Sequence, residues 1–116
     1  MIRFNVQLEL GHIQSQIEEA VDAAQMQLDQ EVLKDSNYFI PKDTGELERS
    51  SLRASQIGKG KLVWDTPYAR KLYHNPQYNF SKDTNPNAQG LWFEAAKAWF
   101  ISDWIRMTQQ AIDRHL

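Results

Sequence analysis

Apolar and polar residues alternate at the start of the chain, with Ile2, Phe4, Val6, Leu8 and Leu10 on every second position. A period of two puts all five on one face of an extended backbone. Residues 2–10 therefore predict a half-buried β-strand, closed by Gly11. The period then changes. Ile13, Ile17, Ala20, Val21, Ala24, Leu28 and Val32 recur every three or four residues, which is one face of a long amphipathic helix over about 12–38. Its opposite face carries Glu18, Glu19, Asp22, Gln25, Asp29 and Asp35. Pro41, with no backbone N–H, stops whatever precedes it.

The middle of the chain is punctuated more densely. Asp43 is a good helix N-cap, and Glu46 follows at capping-box spacing. Gly45 lets the backbone approach a neighbour closely. A short helix is expected from Thr44 to about Ser51. Leu52–Ile57 and Lys61–Asp65 flank Gly58-Lys59-Gly60 and predict a β-hairpin over 52–65 with a mobile tip. The lone lysine between those glycines is no phosphate cradle, since a P-loop needs a longer glycine-lysine pattern opening a helix. Thr66 and Pro67 predict an N-cap and first helical residue, with a short helix to Tyr73. Residues 74–90 are rich in Asn, Pro, Ser and Asp. A connection of that length inside a domain is usually functional or disordered; its Tyr78 and Phe80 suggest an interaction arm that orders on assembly, the alternative being a loop packed on its own domain.

The last helix is expected from Leu91 to about Arg114, with Phe93, Ala96, Phe100, Ile101, Trp104, Met107, Ala111 and Ile112 as its inner stripe. Trp92 and Trp99 lie seven apart, on a shared face offset from that stripe, and suggest aromatic surface left over for an oligomer contact. The expected fold is α+β: long N-terminal and C-terminal helices packed on a small, mainly antiparallel sheet with a protruding hairpin, in a single domain over 1–116. Helices cover one face of such a sheet and its edges face neighbours.

Three segments in order add to this reading. Pro41, Asp43, Thr44, Gly45, Leu47 and Ser50 form the first; Thr66, Pro67, Tyr68 and Ala69 the second; Trp92, Phe93, Ala96 and Lys97 the third. Their order and spacing resemble the head–tail joining and tail-completion proteins of long-tailed bacteriophages, often called minor capsid proteins. One difference follows Ala69, where many relatives have a short glycine-containing stretch and this chain has Arg70-Lys71-Leu72-Tyr73-His74-Asn75-Pro76. The resemblance implies a structural virion protein of the neck. It would act as a ring, of six copies under the family pattern, with other neck and tail proteins as partners and DNA passing through the lumen without specific binding. It would reside in the host cytoplasm before assembly and at the head–tail junction afterwards.

Composition agrees with a folded chain: 41% of residues are hydrophobic and 24% charged, so this is no disordered tail. Cysteine is absent, which excludes disulfides, thiolate metal sites and cysteine nucleophiles. No apolar run approaches membrane length, and the start lacks signal-peptide character. The net charge of −2 provides no global basic field for nucleic acid. It is uneven, however. Residues 1–60 hold ten acids and six bases, and 61–116 five acids and seven bases, a split that suits head-to-tail contact between copies.

Catalytic chemistry has no foothold. His12, His74 and His115 lack helical metal-binding partners. Asp43, Glu46, Glu48 and Arg49 could be imagined as a nuclease cluster, but they sit at a helix start, where capping accounts for two of the acids. No catalytic residue, metal ligand or cofactor site is expected. Arg70, Lys71 and Lys82 with Tyr73, Tyr78 and Phe80 mix bases and aromatics in a manner suited to nucleic acid. The alternative to a neck protein is thus a small phage-encoded module contacting nucleic acid or a host protein. The candidate interface residues are Lys59, Tyr78, Phe80, Trp92 and Trp99.

Overall fold

The computed structural model runs β1 (Ile2–Asn5), α1 (Ser15–Asn37), α2 (Glu46–Ala54), β2 (Lys61–Trp64), α3 (Ala69–Tyr73) and α4 (Trp92–Arg114). It describes residues 1–8, 15–42, 44–76, 78, 80 and 82–115, and of Ser15 and Gln16 the backbone alone. The expected strand end at Leu10, the closing Gly11, His12, the helical Ile13 and the capping Asp43 lie outside the described residues.

The strand expected over 2–10 is shorter, ending at Asn5 with residues 6–8 outside it, but its alternation of faces holds. Ile2 is buried, Phe4 and Val6 are half-buried, and Arg3, Asn5 and Gln7 are exposed. β1 pairs antiparallel with β2 in the register Ile2–Trp64, Arg3–Val63, Phe4–Leu62 and Asn5–Lys61. α1 and α4 form the other layer and run antiparallel. Trp104 Nε1 donates to Asp35 Oδ2 at 2.7 Å near one end of the pair, and Arg114 Nη2 donates to Gln27 Oε1 at 3.0 Å near the other. An aromatic cluster joins the layers. Phe4 stacks on Phe93 with centroids 4.5 Å apart, and Trp92 meets Tyr73 edge-on at 4.7 Å and Trp64 at 5.8 Å.

The expected hairpin is corrected. Residues 46–54 are helical, because Leu47, Ser50 and Ser51 recur at helical spacing and are all buried, whereas Leu52 points outward, 66% exposed. Only Gln56 bridges to Lys61, so the true partner of β2 is the distant β1.

The acidic outer face of α1 is corrected too. Asp29 is 0% exposed and Gln25 is buried. α1 is covered from two sides, by α4 and by the turn before β2, so its buried arc is wider than one amphipathic face. That turn is pinned. Asp29 Oδ2 accepts from Gly58 N at 2.7 Å and from Gly60 N at 2.8 Å, and Asp29 Oδ1 accepts from Gln25 Nε2 at 2.8 Å. Gln25 Oε1 in turn accepts from Leu8 N, and its Nε2 also donates to Val6 O. The glycines therefore serve a fixed turn rather than the mobile tip expected. At Gly60, φ is +71°, and a Cβ would lie 2.8 Å from the Gln7 backbone.

Two buried asparagines stitch the remaining segments. Asn37 Nδ2 donates to Ser51 Oγ at 2.9 Å and Asn37 Oδ1 accepts from Trp64 Nε1 at 3.0 Å, tying α1 to α2 and β2. Asn85 Nδ2 donates to Tyr38 O and Ile40 O, and Gln89 N donates to Phe39 O. The second half of the 74–90 connection thus packs on its own protein, which narrows the expected interaction arm to the span before Asn85.

Candidate functional site

The first two motif segments, distant in sequence, meet in space. Pro41, Thr44, Gly45, Glu46 and Leu47 face Tyr68 and Leu72 across a shallow pocket of about 330 Å³. Leu47, Ser50 and Ala69 are its buried supports, and Ser50 Oγ closes onto Leu47 O at 2.7 Å. Gly45 caps α2 with φ +77°, a region that favours glycine. Arg49 folds back over it: Nη2 donates to Thr44 O at 3.1 Å and to Glu46 Oε2 at 3.0 Å. A Cβ on Gly45 would lie 3.0 Å from Arg49 Nη1.

Capping differs from the sequence expectation at both motifs. Glu46 is the first residue of α2, and its carboxylate pairs with Arg49 rather than reaching back. α3 starts after Tyr68, so Thr66 is not its cap. Instead Thr66 is buried, its carbonyl accepts from Ala69 N at 3.2 Å, and its Oγ1 finds no partner among the described residues. Pro67 and Tyr68 are exposed.

The candidate contact residues separate. Trp99 is 75% exposed on α4, and Lys59 is exposed on the pinned turn. Tyr78 is 38% exposed and packs edge-on against Phe80 at 6.3 Å. Trp92 leaves the set: it is 0% exposed, enclosed by Trp64 and Tyr73. Seven-residue spacing does put it on the same helical face as Trp99, but α3 and the sheet cover only the first turns of α4. Tyr73 is likewise buried, so it cannot stack on a base, while Arg70, Lys71 and Lys82 are exposed.

Of the imagined acid cluster, Glu46 pairs with Arg49 at 3.0 Å and Glu48 with Lys42 at 3.3 Å. Among the described residues no group of three or more His, Asp or Glu side chains could hold a metal ion. His74 lies against the Tyr73 ring, and His115 Nδ1 is 3.0 Å from Ala111 O. One carboxyl is perturbed. Burial pushes Asp35 above the ordinary carboxylate range, partly offset by the Trp104 hydrogen bond.

Sequence reasoning missed the Asp29 latch and the exposed Tyr38, Leu52 and Ile105. Asp29 follows Leu28 and lies four residues beyond Gln25 on the helix, and that adjacency to the apolar stripe was its only signal.

No curated protein and no solved structure matches the chain. A family model described as minor capsid protein matches residues 4–112. That span takes in both motif segments, the junction they form and nearly all of α4, and the chain accordingly belongs to the minor capsid protein family.

Proposed function

We propose that this minor capsid protein, a structural component of a bacteriophage virion, forms part of the head–tail connector, the neck ring that joins the DNA-filled capsid to the tail. It works by forming interfaces and catalyses no reaction. Copies sit side by side in the ring, and DNA passes through the lumen without specific contacts. The observation that carries the reading is exposed aromatic surface on ordered supports. Trp99 stands 75% exposed on a 23-residue helix, and Tyr78, 38% exposed, packs against Phe80. Large aromatics on rigid elements are the usual anchors of protein interfaces.

The test is co-sedimentation of the purified protein with heads and tails separately, comparing wild type with Trp99→Ala. Binding to the head vertex or the tail end that is lost in the variant supports the connector role. Failure to associate with either, together with salt-sensitive DNA binding, replaces it with the nucleic-acid module reading.

A further inference from the structure

β1 has a free edge, and the register shows which groups lie on it. Val6 N donates to Gly60 O at 2.7 Å. Hydrogen-bonded pairs alternate along an antiparallel ladder, so Phe4 and Ile2 also exchange their bonds with β2. The backbone N–H and C=O of Arg3 and Asn5 therefore point the other way. β2 confirms the phase: Val63 N donates to Ser55 Oγ and Lys61 O accepts from Gln56 N, both on the side away from β1. No hydrogen bond forms at the backbone of Arg3 or Asn5 in the described structure, and both residues are exposed.

Beside this edge runs an apolar groove of about 580 Å³. Asn5, Val6 and Leu8 line it on the strand side, and Phe93, Ile101 and Ile105 on the α4 side. Ile105, on the α4 wall of the groove, is 63% exposed. Each face of the edge carries a cation: Lys97 on α4 lines the groove, and Arg3 lies on the outer face of the strand; both are exposed and form no ion pair among the described residues.

We propose that this edge and groove together form a β-augmentation site for an extended segment of a different polypeptide. The segment carries apolar side chains at alternate positions and carboxylates between them. Its backbone pairs with Arg3 and Asn5 as a third strand. The alternate side chains that fall on the Phe4 and Val6 face enter the groove beside Lys97, and the intervening carboxylates, on the opposite face, meet Arg3. Main-chain pairing supplies affinity and the alternating pockets supply selectivity. The site does not depend on where in the virion the protein sits.

The probe is a synthetic peptide of about nine residues alternating valine with glutamate, close to the length of a long strand. Amide hydrogen exchange is followed by NMR. At saturation the Arg3 and Asn5 amides should slow by about tenfold or more, and a peptide with lysine in place of glutamate should bind more weakly. Asn5→Pro removes an outward N–H and no β1–β2 bond, as proline does on an edge strand. It should abolish the slowing at Arg3 while leaving the unfolding midpoint in place. Ile105→Lys, at an already exposed position, should do the same. Three results overturn the proposal: no slowing at millimolar peptide, slowing that survives Asn5→Pro, or amides already protected by concentration-dependent self-association, which assigns the edge to a second copy.

Discussion

Replacing Asp29 with alanine should destabilise the fold far more than removal of a surface acid would. The side chain is fully buried and its two oxygens serve Gly58 N–H, Gly60 N–H and Gln25 Nε2. A hydrogen bond to a charged acceptor contributes about 1.5–3 kcal/mol net, and a buried donor left without a partner costs about 1–3 kcal/mol. Gly58 N–H is near the surface and regains water, whereas Gly60 N–H is enclosed and does not. Part of the loss is offset because a buried carboxylate without a basic partner is itself expensive. The balance comes to about 3–5 kcal/mol, a large share of the ~5–15 kcal/mol that stabilises a typical domain. Asp29→Asn keeps one acceptor oxygen but turns an amide NH2 toward a donor, so its loss is about half as large. Equilibrium urea unfolding measures both, and amide exchange at Gly58 and Gly60 localises the effect. An alanine variant within about 1 kcal/mol of wild type, with those two amides still protected, would refute the latch.

Gly45→Val forces a β-branched residue to φ +77° and pushes Arg49 from Thr44 O; a loss of about 2–4 kcal/mol is expected by thermal or urea unfolding. Tyr73→Phe removes a buried hydroxyl that has no partner among the described residues, so stability should stay level or rise by up to about 1 kcal/mol in the same assay. Asp35 has a raised folded pKa, so the fold favours its protonated form. Its contribution is complete below its unfolded value of 3.8 and is lost as pH rises through the folded value. Asp35→Asn, neutral throughout and still able to accept from Trp104, should therefore gain melting temperature relative to wild type as pH rises from 3 toward 7. A difference that is constant with pH would contradict this.

The long elements were legible because their periods are long. The alternation from Ile2 to Leu8 fixed the inward face but overran the strand, which ends at Asn5, and the stripe from Phe93 to Ala111 located α4 to within a residue. Short polar segments were not. Residues 46–54 read as half helix and half strand because Ser50 and Ser51, which complete the helical face, are polar and buried. Their hydroxyls are absorbed by Leu47 O and Glu48 O within the same helix, a local satisfaction that hydropathy cannot register. Asp29, Asn37 and Asn85 share this cause. Each is a buried polar group satisfied by backbone or side chains far along the chain, and a single sequence carries no record of those partners. The motif junction was legible as two motifs and not as one place, since only the tertiary fold brings Pro41 and Gly45 to Tyr68. Trp92 and Trp99 show the limit of spacing alone: equal angle on a helix does not mean equal cover along its length.

The pairing of β1 with β2, and of α1 with α4, has a consequence for synthesis. The first strand waits for residues 61–64 before it can pair, and α1 waits for α4 before Asp35 and Gln27 find their partners there. Contacts this far apart in sequence make for slow folding and a long exposure of unfinished apolar surface. Nascent chains stopped anywhere before α4 lack Trp92, Ala96 and Trp104 and so have no closed core. The core therefore closes only once α4 is available, and copies that lack it cannot enter the folded pool.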